Sequence, residues 1–176
     1  VKFELLTDLD SKPAGAVVNF DSCEALGAVN LWGTGFAARD YVPRAISARI
    51  GGVRYEVDVN VAGLAGFLLA KVAAAHGRRK PKDWYDIAFV LLNNNAGGPE
   101  AAAEAVRARF GKEIIGVART ALDDLHANFA APNAQGPSAY ASQFALDYPE
   151  LDVAELRADA VVAVRAFHAA MFSDSK

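Results

Sequence analysis

Beyond residue 60 the apolar positions recur at helical spacing; before it they alternate or fall in short runs. Val61, Leu64, Ala65, Leu68, Val72 and Ala75 form one stripe, which predicts a helix over 61–76, capped by Asn60 and stopped at Gly77. Ile87, Ala88, Phe89, Val90, Leu91 and Leu92 make the next segment apolar nearly all round. They predict a buried helix over 84–94 with Asp83 as its N-cap. Further helices are predicted over 99–110, with Pro99 in the first turn, and over 113–129 and 138–147, with a loop over 131–137. In the last helix, 152–172, Val153, Leu156, Ala160, Val164, Phe167 and Met171 share a stripe, and 173–176 should fray.

The first part of the chain reads differently. Residues 2–6 alternate, with Phe3 and Leu5 on one face and Lys2, Glu4 and Leu6 on the other, which predicts a strand. A second short strand is predicted over 16–20, and Asp21 is suited to cap a brief helix to Leu26. Residues 27–44 show no clear period and read as loop and short elements. Gly51-Gly52 between 45–50 and 53–59 predicts a hairpin, because two glycines accept the positive φ angles of a tight turn. Val53, Tyr55, Val57 and Val59 would be its core face, with Arg54, Glu56 and Asp58 outward. Strands followed by helices define an α+β class: a small antiparallel or mixed sheet, then a helical C-terminal bundle. The expected division is a strand-rich part over 1–60 and a helical part over 61–176. A strand at the very start of the chain suggests that further sequence normally precedes it.

Composition removes several functional classes. No apolar run approaches the roughly 20 residues of a membrane span, and the first residues lack a signal-peptide layout. One cysteine, Cys23, excludes an internal disulfide framework and fits a reducing, cytoplasmic location. The three histidines, His76, His126 and His168, are isolated in sequence and make no zinc pattern. With a net charge of −3 the chain is not a general polyanion binder.

Candidate chemistry concentrates in the predicted helical hairpin. Asp86 lies among Phe89 and Val90 on its own face, where a carboxylate is costly unless paired. Such a hairpin can bring Lys71 to it. The pair reads either as a structural ion pair or as a lysine that meets an anionic substrate with Asp86 holding it. Arg78, Arg79, Lys80 and Lys82 form a basic turn, either a solvated connector or a guide for a polyanion such as an RNA end. As exposed charges, Arg78 and Arg79 should contribute little to folding. Asp8-Leu9-Asp10 has the spacing of a metal-binding pair, but turn chemistry accounts for it equally well. Glu4 and Asp58 read as surface carboxylates, and Asp123-Asp124 as a solvated face.

Three segments together carry a resemblance. Val1-Lys-Phe-Glu-Leu-Leu-Thr7 resembles the strand bearing the third metal-binding carboxylate in nucleotidyltransferases of the polymerase-β type. Tyr55-Glu-Val-Asp-Val, followed by Leu-Leu-Ala-Lys71, resembles the strand and helix leading to that family's lysine. Lys82-Asp-Trp-Tyr-Asp-Ile resembles its Arg/Lys-Asp-x-x-Asp-Leu signature. The order is similar to that of AbiEii-like nucleotidyltransferase toxins of type IV toxin–antitoxin systems, over about residues 1–95. The resemblance implies that Glu4 lies near Mg²⁺, that Lys71 contacts a nucleoside triphosphate, and that Asp86 positions Lys71 or the acceptor, while Asp83 stays a cap. Arg78 and Arg79 would bind nucleotide or acceptor. The implied partners are a nucleoside triphosphate, an acceptor such as a tRNA, another RNA or a protein hydroxyl, and a cognate antitoxin, in a bacterial cytoplasm. The family's Gly-Ser turn and Asp-x-Asp pair are not found ahead of Glu4. The chain is therefore expected to be the C-terminal portion of an enzyme or a degenerate relative, inactive alone. The alternative is a noncatalytic module that binds a nucleotide or partner through its helices.

Overall fold

A computed structural model describes residues 4–173, apart from the side chain of Glu24. The expected strand positions Lys2 and Phe3 and the end of the expected frayed tail lie outside the described residues. The class is α+β, as the order of strands and helices implied. Strand β1 (Leu6–Thr7) pairs in parallel with β3 (Cys23–Asn30), and β2 (Val17–Phe20) pairs antiparallel on the other side of β3. The stretch after Asp21 is thus a strand and not a helix. Its Glu, Ala and Leu favour helix locally, but pairing with two neighbours decides the outcome. Gly27 lets β2 approach: a Cβ there would lie 2.5 Å from Val17 Cγ1.

The segment without a period contains helix α1 (Thr34–Arg39) and the start of β4 (Tyr41–Ile50). β4 pairs along its whole length with β5 (Val53–Ala62). Gly51 and Gly52 have φ of 58° and 83°, as the two-residue turn requires. The valine face of this hairpin is not core. Val53, Tyr55 and Val57 are 57%, 54% and 58% exposed, because among the described residues no other element packs substantially over this two-stranded sheet.

The bundle holds the core. Helices α2 (Leu64–Arg78), α3 (Pro81–Asn93), α4 (Pro99–Phe110), α5 (Val117–Asn128), α6 (Gln135–Asp147) and α7 (Val153–Phe172) bury Leu68, Trp84, Ile87, Leu91, Val106, Leu122, Leu125, Val164 and Phe167 completely or nearly so. The expected stripes of α2 and α7 point inward, except for their first members Val61 and Val153, which are exposed. Asn60 and Val61 continue β5, so Asn60 caps nothing. Instead Asp40, just past α1, accepts from the Gly66 N–H at 2.8 Å and closes the first turn of α2 from outside. α5 starts at Val117, later than expected, after a single 3₁₀ turn and Gly116 at φ 54°. α6 starts earlier, at Gln135, since Pro137 in a first turn sacrifices no helical donor. Asp152 caps α7 through the Ala154 N–H at 2.7 Å.

α2 runs through Gly77 and ends where Arg79 takes a left-handed conformation at φ 50° and donates its N–H to Ala75 O. Gly77 is exposed, helical, and would have nothing within 4 Å of an added Cβ. Gly77→Ala is therefore expected to stabilise the protein by about 0.5–1 kcal/mol in chemical denaturation. An unchanged midpoint would mean that this last turn is frayed in solution.

Candidate functional site

Lys71 and Arg78 are seven residues apart on α2, two turns along one face. Asp83 and Asp86 are three apart on α3, again one face. Packing α2 on α3 sets these faces together. Lys71 Nζ lies 2.6 Å from Asp86 Oδ2 and 3.5 Å from Asp83 Oδ1. Arg78 grips Asp83 with two nitrogens, Nε at 2.7 Å and one terminal nitrogen at 2.8 Å. Lys82, one turn before Asp86, meets it at 2.9 Å.

Asp83 is not the expected cap. Pro81 already opens α3, and its preset φ makes it a good first residue. That places Asp83 inside the first turn with its carboxylate turned to α2 and only 1% exposed. Trp84, fully buried and edge-on to Phe129, anchors this end of the helix next to it. Asp83 is the residue that sequence reasoning misjudged. The seven-residue spacing of Lys71 and Arg78, facing a three-residue spacing of aspartates, was the signal for it.

Burial falls across the cluster in a graded way. The Asp83 side chain is closed off, Asp86 is 13% and Lys71 23% exposed, and Arg78 and Lys82 reach 40% and 77%. The hydrogen bond with Asp83 holds the Arg78 guanidinium charged above its ordinary range; partial burial opposes this, and Asp83, Glu4 and Asp86 add attraction. Burial raises the neighbouring Tyr85 hydroxyl, with Asp147 and Asp86 adding to it. Beside Lys82 a cavity of about 450 Å³ is lined by Gln135, Ser138, Ser142 and Gln143 of α6.

The basic turn divides. Arg78 belongs to the cluster, whereas Arg79 turns to Asp124 at 3.4 Å, which His76 also meets at 3.1 Å. Asp124 is only 19% exposed, so it is a paired carboxylate and not part of a solvated face. Glu4 is exposed, and it reaches the cluster through its attraction for Arg78. Asp8 reaches across the chain and not into its own turn: its Oδ2 accepts from Gly33 N at 2.8 Å and Gly35 N at 3.1 Å, at the start of α1. Among the described residues no group of three or more His, Cys, Asp or Glu side chains is placed to hold a metal ion.

His126 and His168, distant in sequence, stack at 4.4 Å between α5 and α7, and Asp123 bonds His168 at 2.9 Å. Burial holds His126 below its ordinary value of 6.5, assisted by His168 and Arg165 and opposed by Asp123. A lowered imidazole binds protons better in the unfolded chain, so its contribution is present above about pH 6.5 and is lost as pH falls below it. Asp123, lowered by His168 and Arg119 against the effect of burial, contributes until far more acid pH. The melting temperature should therefore fall between pH 7.5 and 5.5, and His126→Gln should flatten that slope. Equal slopes would remove His126 as the cause.

The family model described as "Nucleotidyl transferase AbiEii toxin, Type IV TA system" matches residues 33–169. The match takes in Lys71, Arg78, Lys82, Asp83 and Asp86 and stops short of Glu4. No curated protein and no solved structure matches the chain. Because the match spans most of the sequence, the chain belongs to the AbiEii nucleotidyl transferase toxin family of type IV toxin–antitoxin systems.

Proposed function

We propose that the α2–α3 cluster is the phosphate-facing part of a nucleotidyltransferase-like toxin, with Lys71 as the group that meets a nucleoside triphosphate. One observation carries this reading. The two carboxylates already have partners without Lys71: Asp83 has both bonds of Arg78, and Asp86 has Lys82. Lys71 is a third cation for two aspartates, and the other carboxylate drawn to the cluster, the exposed Glu4, acts on Arg78, so the pairing of the two aspartates does not depend on Lys71. A lysine that neither aspartate needs as its partner is available to a triphosphate. Asp86 then positions the lysine, and Arg78 with Asp83 fixes the angle between the helices. The cavity beside Lys82, itself a partner of Asp86, offers a ligand room at this end of α3. In this reading Arg78 acts within the protein, and Arg79, committed to Asp124, lies outside the nucleotide site.

The residues at hand do not fit a magnesium site. Glu4 is an exposed carboxylate whose attraction goes to Arg78, and no cluster of three or more ligating side chains accompanies it among the described residues. Nucleotidyl transfer in this family would require further carboxylates. We therefore read the chain as binding nucleotide without transferring it, consistent with an enzyme portion or a nucleotide-binding module. An RNA acceptor, a cognate antitoxin and a bacterial cytoplasmic setting follow from the family reading and belong to the same proposal.

Titration of the 176-residue chain with ATP, followed by calorimetry, tests the first half. Incubation with α-labelled nucleotide, Mg²⁺ and total tRNA tests the second. Saturable binding with no labelled RNA is expected. Absence of binding for all four nucleoside triphosphates would end the nucleotide reading, and robust labelling of RNA would overturn the claim of inactivity.

A further inference from the structure

The β4–β5 hairpin presents an apolar face that the functional reading does not use. Its register puts Val42 beside Val61, Arg44 beside Val59, Ile46 beside Val57, Ala48 beside Tyr55 and Ile50 beside Val53, all on that face. Ile46, Val57 and Ile50 are 49%, 58% and 67% exposed. The opposite face carries Arg49, Arg54, Glu56 and Asp58, with Arg54 and Glu56 paired in open solvent. An isolated two-stranded hairpin is marginal in water, and an exposed apolar face of this extent marks an interface.

We infer that this face docks on the same face of a second copy of the chain, stacked antiparallel about a twofold axis through the Ile46–Val57 row. The arrangement follows from charge and shape. Arg44 is the one charged residue on the face, one row from the centre toward the base. In an antiparallel stack that row meets the row of Ala48 and Tyr55 of the second copy. Ala48 leaves room for the guanidinium, and the Tyr55 ring offers its π face. The two Arg44 side chains then lie on opposite sides of the axis. A parallel stack would bring the two Arg44 rows together and crowd both helical bundles at one end.

Side chains at the centre are β-branched and suit a face-to-face packing of sheets about 10 Å apart. Covering the face on both copies would bury on the order of 1,200–1,600 Å² in total, the size of a stable interface. The charged faces stay in water and keep the stack closed at two copies.

Sedimentation of the 176-residue chain across a concentration series tests the inference. The expected mass is twice 18.6 kDa at micromolar concentration. Val57→Lys should weaken association at least 100-fold with an unchanged helical circular dichroism signal, since the side chain is exposed in the single copy. Asp58→Lys, on the other face, should leave association as it is. Ile46→Cys in a Cys23→Ser background should give a covalent dimer with a short bismaleimide, because the Ile46 positions face each other across the axis at about the 10 Å separation of stacked sheets, too far for a direct disulfide. A monomer at every concentration would overturn the inference, including one whose hairpin only a different polypeptide protects. So would a Val57→Lys chain that still dimerises, or an Ile46→Cys dimer that the bismaleimide does not cross-link.

Discussion

Replacing Arg78 by methionine should destabilise the protein by about 3–5 kcal/mol. The reason lies in what remains behind. Asp83 is 1% exposed and cannot turn to water, and its other partner, Lys71, is 3.5 Å away and engaged with Asp86 at 2.6 Å. A carboxylate left in that position keeps its desolvation cost and loses both strong hydrogen bonds. The reverse change is milder. Asp83→Asn leaves Arg78, 40% exposed, able to swing into solvent, so about 1–3 kcal/mol is expected. Arg78→Met combined with Asp83→Leu should recover most of the loss, since an apolar pair can replace a buried ionic one. Urea denaturation of the parent, Arg78→Met, Asp83→Leu and the double variant completes the cycle. Additive single effects would show that Arg78 and Asp83 do not depend on each other. The expectation from charge alone, that Arg78 contributes little to folding, holds only where the partner carboxylate is exposed as well, and Asp83 is not.

The long helices were legible because their apolar periods continue for several turns and the bundle uses them as written; 99–110 and the stripe through Leu156, Ala160, Val164 and Phe167 are examples. Boundaries slipped where a distant residue did the capping: Asp40 closes α2, which no reading of Asn60 or Gly63 could show. β3 was missed because Cys23–Asn30 becomes a strand only through partners on both sides. At the site, the closeness of Lys71 and Asp86 was readable from one buried-looking carboxylate and a helical hairpin. The role of Asp83 was hidden by its position near a helix start, where a cap explains an aspartate just as well. The hairpin face failed for a different reason. Alternation tells which side is apolar, not whether anything covers it.

Lys71→Ala should separate stability from ligand binding. Without Lys71, Asp86 keeps Lys82 at 2.9 Å and Asp83 keeps both bonds from Arg78, so neither carboxylate is stranded. The loss of one partly exposed partner in a network should cost no more than about 1 kcal/mol. The cation–π contact of Lys71 with the Phe67 ring, at 5.8 Å, is weak and adds little. Nucleotide affinity should respond in the opposite proportion. One charge-assisted contact to a triphosphate corresponds to about 1.5–3 kcal/mol, or roughly a ten- to hundredfold loss of ATP binding. Lys71→Arg should fold as well as the parent. It should retain only part of the affinity, because a planar fork does not replace a compact ammonium wedged beside Asp86. Calorimetric titration of folded, thermally matched variants reads the two effects apart. A Lys71→Ala chain that binds ATP like the parent would show that this lysine is only the third member of a structural ion network. A chain several kcal/mol less stable would show that Arg78 and Lys82 cannot replace it as partners of the two aspartates.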